Sequence, residues 1–211
     1  MIKRTTLLIL LLAGLGPAQV VNCLVAVVNG EAITLLDLKV VAEFDLGTAV
    51  SVEGGQDPRR AALDALIDRK VVLDLAREAK GVSPEEVDAA LAGLSVRMGE
   101  AGFSARLKKY GLTAKDLGPY LRERILFDKA MALRFSQAIP VPLTDIERYY
   151  RTAYLAEQSR LGRPAEPLAQ VSEDIASRLR EERRAKQVVD WVKSLRARAE
   201  IRVHEDCLRT P

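Results

Sequence analysis

Apolar residues recur along this chain at two different spacings, and the changes between them mark its elements. From Leu24 to Val28 five apolar residues, rich in valine, run without interruption into Asn29-Gly30. A short β-branched apolar run that stops at a glycine turn reads as a buried strand. Beyond it the spacing turns helical. Thr34 can cap a helix with Asp37 at its third position, and Leu35, Leu38, Val41, Ala42 and Phe44 follow helical spacing. That helix should stop near Gly47, ahead of a Gly-rich loop at 52–56. Residues 58–80 predict the most apolar helix, because Leu63, Leu66, Ile67, Val71, Val72, Leu73 and Leu75 leave little of its circumference polar. A helix apolar almost all round is buried by neighbours on several sides, so this one should be central.

Ser83-Pro84-Glu85-Glu86 opens the next helix as a full capping box. That helix runs to about Gly99, and a shorter one covers Phe103 to Tyr110. Thr113 with Asp116 opens another, which carries Leu117, Tyr120, Leu121, Ile125, Phe127, Met131 and Phe135 and ends before Pro140. Thr144 with Glu147 opens a helix containing Tyr149, Tyr150 and Tyr154. Residues 157–167 hold two prolines and a glycine and predict a loop. The last helix is long, from about Ala169 to Ala199, with Val171, Ile175, Leu179, Val189, Val192 and Leu195 at three- and four-residue steps. Its middle, residues 180–184, is charged on every face and predicts a solvated stretch. From Glu200 to His204 the residues alternate polar and apolar, which is a strand pattern and the only other strand candidate.

The two predicted strands lie at opposite ends and are expected to pair with each other. With Cys23 opposite Cys207, Val25 and Val27 share a face with Ile201 and Val203. The predicted class is mainly α, with the N- and C-terminal short strands paired into a small antiparallel ribbon that packs on the helices.

Composition changes the picture in two places. Lys3 and Arg4 precede an apolar run from Leu7 to Leu15 and then Gly16, Pro17 and Ala18, the pattern of a secretory signal peptide over residues 1–18. An uncleaved N-terminal anchor is the alternative; otherwise no stretch is long enough to span a membrane. The expected single mature domain is then 19–211: strand and helices over 19–155, a linker over 156–168, and the last helix and strand over 169–211. There are two cysteines, Cys23 and Cys207, and in an exported chain that predicts one disulfide. Lipidation of Cys23 is the competing reading, although Asn22 stands where a small residue is expected. The net charge of +3 includes Lys3 and Arg4 and is too small, and too evenly spread, for a nucleic-acid binder.

The catalytic inventory is thin. The sole histidine, His204, falls on the outer face of a terminal strand, and no nucleophile motif, phosphate-binding loop or Cys/His metal spacing accompanies it. No catalytic residue, cofactor or metal is expected. Glu181, Glu182, Arg183 and Arg184 read as a solvated face. Tyr149, Tyr150 and Tyr154 can line a groove or pack at a core boundary.

VAVVNGEAIT (25–34), after a signal peptide, resembles the start of SurA-like periplasmic chaperones, a group that includes the PpiD and PrsA foldases. The resemblance continues through residues 63–91, 110–131 and 141–154, and closes with the helix and strand of 175–204. It implies a multi-helix chaperone domain in the periplasm that holds unfolded outer-membrane or secreted proteins without ATP. Family members usually insert parvulin-type prolyl isomerase domains where this chain has only residues 156–168, so no isomerase activity is expected. A structural or assembly subunit with one dedicated envelope partner is the alternative.

Overall fold

Leu24–Val28 forms strand β1, Glu31–Thr34 forms β2 and Ile201–Val203 forms β3. They make one antiparallel sheet in the order β2-β1-β3, in a computed structural model that describes residues 23–47, 57–75 and 81–208. The expected signal peptide over 1–18, the residues preceding Cys23, the Gly-rich stretch 52–56 and the end of the predicted 58–80 helix lie outside the described residues.

The terminal strands pair as expected, but β1 has a second partner. Asn29 and Gly30 both take positive φ, 48° and 85°, which closes a two-residue hairpin onto β2. Only Ala32 and Ile33 separate Glu31 from the capping Thr34, too short a run to register as a strand by periodicity. The expected face is also off by one residue. Ala26 lies opposite Val203 and Val28 opposite Ile201, so Ala26 and Val28, rather than Val25 and Val27, share their face. The cause is that Cys207 is not in the ladder. After β3 the chain turns into a short helix, α9, Glu205–Leu208, and Cys207 reaches Cys23 from there. The disulfide joins Cα atoms 5.8 Å apart across a sequence separation of 184. A register inferred from opposed cysteines inside a strand therefore slips by one and exchanges the faces.

Helix α1, Leu35–Glu43, starts on the predicted Thr34–Asp37 box: the Asp37 amide donates to Thr34 Oγ1 and the Thr34 amide to Asp37 Oδ2. The same reciprocal pair opens α3, Pro84–Met98, through Ser83 and Glu86. Thr113 and Asp116 open a 3-10 turn, 114–117, that leads into α5, Gly118–Arg134. Such a cap is worth about 1 kcal/mol. Between α3 and α5 lies α4, Glu100–Lys109.

Helix α2, Pro58–Leu75, is the predicted centre, packed against α1, α5, β1 and the long helix α8, Leu168–Arg196. Leu63, Leu66, Ile67, Val71 and Val72 join Val25, Ile33, Leu38, Phe44, Leu94, Leu117, Val192 and Leu195 in one continuous core. Its burial is not purely apolar. Asp64 and Asp68 accept from Arg196 at 2.8 and 3.0 Å, which anchors the end of α8 on α2. Arg69 is fully buried and donates through Nη2 to the Leu46 carbonyl, which holds the chain after α1. Among the described residues its Nε and Nη1 find no partner, and burial pushes the guanidinium pKa down.

The remaining elements form a second, smaller lobe. Helix α6, Leu143–Tyr149, passes through a single π-turn, Tyr150–Tyr154, into α7, Leu155–Leu161. Two expectations are corrected here. Residues 157–161 of the predicted loop are helical, and the helix stops only at Gly162, in the left-handed conformation at φ 64°. Thr144 lies inside the first turn of α6, because Pro142 is the cap and its carbonyl accepts from the Asp145 and Ile146 amides. Ile146, Val171, Ile175 and Ala176 form the lobe's separate core. Helix α8, 29 residues and about 44 Å long, serves the small core at its start and the main core at its end.

Candidate functional site

The middle of α8 is where the two lobes meet, and there the charged run is not only a solvated face. Arg183 is half-buried; Nη1 donates to the Pro140 carbonyl at 2.7 Å and Nη2 pairs with Asp145. Arg148 pairs with Asp145 as well. The Arg183 contact, helped by Arg148, holds the Asp145 carboxyl below its usual range. One arginine thus ties α8 to the connection 135–142 and to the first turn of α6. Glu181, Glu182 and Arg184 are exposed, as expected.

Above that tie the connection forms one wall of an open cleft of about 500 Å³. Phe135, which follows α5, meets Trp191 of α8 edge to face, ring centroids 5.6 Å apart at 80°. Such pairs prefer this geometry and add to the apolar contact. The Arg134 guanidinium lies 5.8 Å from both ring centroids. Ile139 and Pro140 continue the apolar lining, and Gln137, Gln187 and Asp190 supply polar groups at its margin. Leu133, two residues before Phe135, and Leu143, at the start of α6, are 76% and 61% exposed. An aromatic, apolar recess with amide and charged groups around it suits a polypeptide segment, whose side chains need apolar contact and whose backbone needs hydrogen bonds.

The three predicted tyrosines are brought together in the small lobe, outside this cleft, and pack against its core. Tyr149 lies beneath the Arg178 guanidinium, 5.4 Å from its ring centroid, and burial raises its phenol pKa. Tyr150 and Tyr154 stack with centroids 5.3 Å apart and planes 18° from parallel. Their hydroxyls both meet the backbone of Glu166 in the connection to α8.

In the sequence Phe135 reads only as an apolar position of the helix that Thr113 opens, and neither Ile139 nor Trp191 carries a site signal. Trp191 is the one tryptophan of the chain, but its spacing merges it with the α8 core positions.

No protein-family model matches the sequence, and no curated protein matches it.

Elsewhere the shifted groups are tied into ion pairs and hydrogen bonds. Glu43 is lowered by its contacts with Lys109 and Tyr110, with Arg106 also near. The Tyr120 phenol is pushed well above its ordinary value by burial and by its 2.6 Å bond to Asp37. Among the described residues no group of three or more His, Cys, Asp or Glu side chains can hold a metal ion, and no helix is long and apolar enough to cross a membrane.

Proposed function

We propose that the chain is an ATP-independent chaperone that holds unfolded or partly folded polypeptides, after export to the periplasm, without prolyl isomerase activity. The observation that carries this reading is the open Phe135–Trp191 cleft where the two lobes join. A holdase needs apolar surface that the fold leaves uncovered, and the cleft with the neighbouring exposed Leu133 and Leu143 offers such surface. The mainly helical frame with paired terminal strands, and the disulfide suited to an oxidising compartment, agree with the resemblance to SurA-like chaperones. Between α7 and α8 only residues 162–167 connect the helices, so that connection carries no parvulin domain.

The test is aggregation of an unfolded outer-membrane protein, followed by light scattering at near-stoichiometric chaperone without nucleotide. The wild-type protein should slow it, and Trp191→Ala should slow it much less. No protection of several unrelated clients, together with saturable binding of one envelope protein, would favour a dedicated assembly subunit instead.

A further inference from the structure

Every residue of the connection 162–167 is exposed and belongs to neither core, yet one of them is gripped on both main-chain groups. Tyr150 Oη donates to the Glu166 carbonyl at 2.8 Å, and Tyr154 Oη accepts from the Glu166 amide at 3.3 Å. That pair of bonds is what a residue in an antiparallel strand makes with the residue opposite it. Here two side chains imitate one residue of a strand edge. We propose that Tyr150 and Tyr154 form a docking point for extended polypeptide backbone, occupied in this structure by the chain's own Glu166. The inference deepens the chaperone reading and rests on it for the nature of the external ligand, an unfolded chain.

Three features fit a docking point better than a fixed staple. Both bonds go to main-chain atoms, so the pair accepts an extended residue of almost any side chain, as a general holdase requires. Glu166 precedes Pro167, and a residue before proline is biased to the extended conformation, which is the conformation an unfolded client segment would bring. The tyrosines sit on a π-turn, an irregularity that is frequent at functional sites. Because the loop is covalently held beside its site, its effective concentration is high. A client displaces it only when other segments bind too, which makes the loop a threshold against short or folded polypeptides.

The test uses the full mature chain with residues 162–167 replaced by a Gly/Ser segment of equal length. The probe is a fluorescent peptide of residues 161–168 with blocked ends. It should bind this variant, and the wild-type chain should bind it at least about tenfold more weakly. Adding Tyr150→Phe and Tyr154→Phe keeps both rings but removes both bonds, and should weaken peptide binding by roughly tenfold or more. In the chain with its natural loop, the same two substitutions should speed hydrogen exchange at the Glu166 amide by about tenfold, which tests the grip even if the loop replacement fails to fold. Peptide binding that is absent, or indifferent to the hydroxyls, overturns the docking point, as does unchanged exchange at Glu166. If the peptide binds as expected but no unfolded client is protected from aggregation, the chaperone reading fails and the docking point stands.

Discussion

The two lobes share one helix and are built on opposite principles. In the main lobe α2 is enclosed by α1, α5, α8 and the sheet, and three of its charged residues are buried: Asp64 and Asp68 accept from Arg196, and Arg69 holds a carbonyl. In the small lobe four residues are buried, Ile146, Val171, Ile175 and Ala176, and the half-buried tyrosines form their cover. Besides the shared helix, its tie at the junction is polar: Arg183 of α8 holds Asp145 of α6 and the Pro140 carbonyl. Regions with little buried apolar contact open at lower free energy than the global transition. The uncovered recess, the stacked tyrosines and the exposed loop all lie at or beyond the junction. Buried contact is concentrated in the main lobe, and the surfaces proposed to bind polypeptide lie at the junction and beyond it.

The largest expected effect falls on the main lobe. The Cys23–Cys207 bridge closes nearly the whole described chain into a loop. The chain-entropy relation gives roughly 5 kcal/mol for a loop of this size, and measured bridges often deliver less. Cys23→Ser with Cys207→Ser should lower the global unfolding free energy by about 2–5 kcal/mol in a denaturant titration and leave exchange in 143–161 relative to the folded main lobe unchanged. An unmoved midpoint would mean that the bridge does not constrain the unfolded chain.

Leu63→Ala, at a fully buried position of α2, should cost about 3 kcal/mol in the same titration. Ile175→Ala should separate the lobes. It should reduce the free energy of local opening by about 2 kcal/mol, read as faster amide exchange in α6 and α7, while the global midpoint moves much less. Equal shifts in both measurements would show that the lobes unfold as one unit.

Acid gives the smallest and most selective effect. The Asp145 pKa is depressed by Arg183 and Arg148, so its contribution is complete above the unfolded carboxylate pKa of about 4 and is lost as pH falls through the lower folded value. On acidification below about pH 4 the junction should loosen before the main lobe melts, which Trp191 fluorescence beside the cleft can follow. Asp145→Asn should abolish that early step. A fluorescence titration identical in the two proteins would remove Asp145 from the junction.

The main lobe was also the more legible half. Its helices follow strong apolar periodicity, its three caps are reciprocal Thr or Ser boxes, and its two cysteines are close in the fold as their count implied. What escaped reading was set by tertiary contacts. β2 is too short to show alternation. Arg69 and Asp68 look like surface residues of α2 until α5 and α8 are in place, and Arg183 looks solvated until Pro140 and Asp145 reach it. The cleft was illegible for the same reason: Phe135 and Trp191 are 56 residues apart, and each alone fits a core position. The tyrosines were visible as candidates, but their shared partner, the backbone of Glu166, has no side-chain signature.

The sheet imposes an order in time. β1 finds β2 across a two-residue turn, but finds β3 only after about 170 further residues have been made. Local pairs close in microseconds and distant ones later, so the hairpin can form early while the other edge of β1 stays open. Throughout that interval the edge is a template for any extended chain nearby. The nascent protein is thus itself exposed to the strand-to-strand association that its mature form is proposed to prevent in others. Only the arrival of β3, followed by the Cys207 bond to Cys23, ends that exposure.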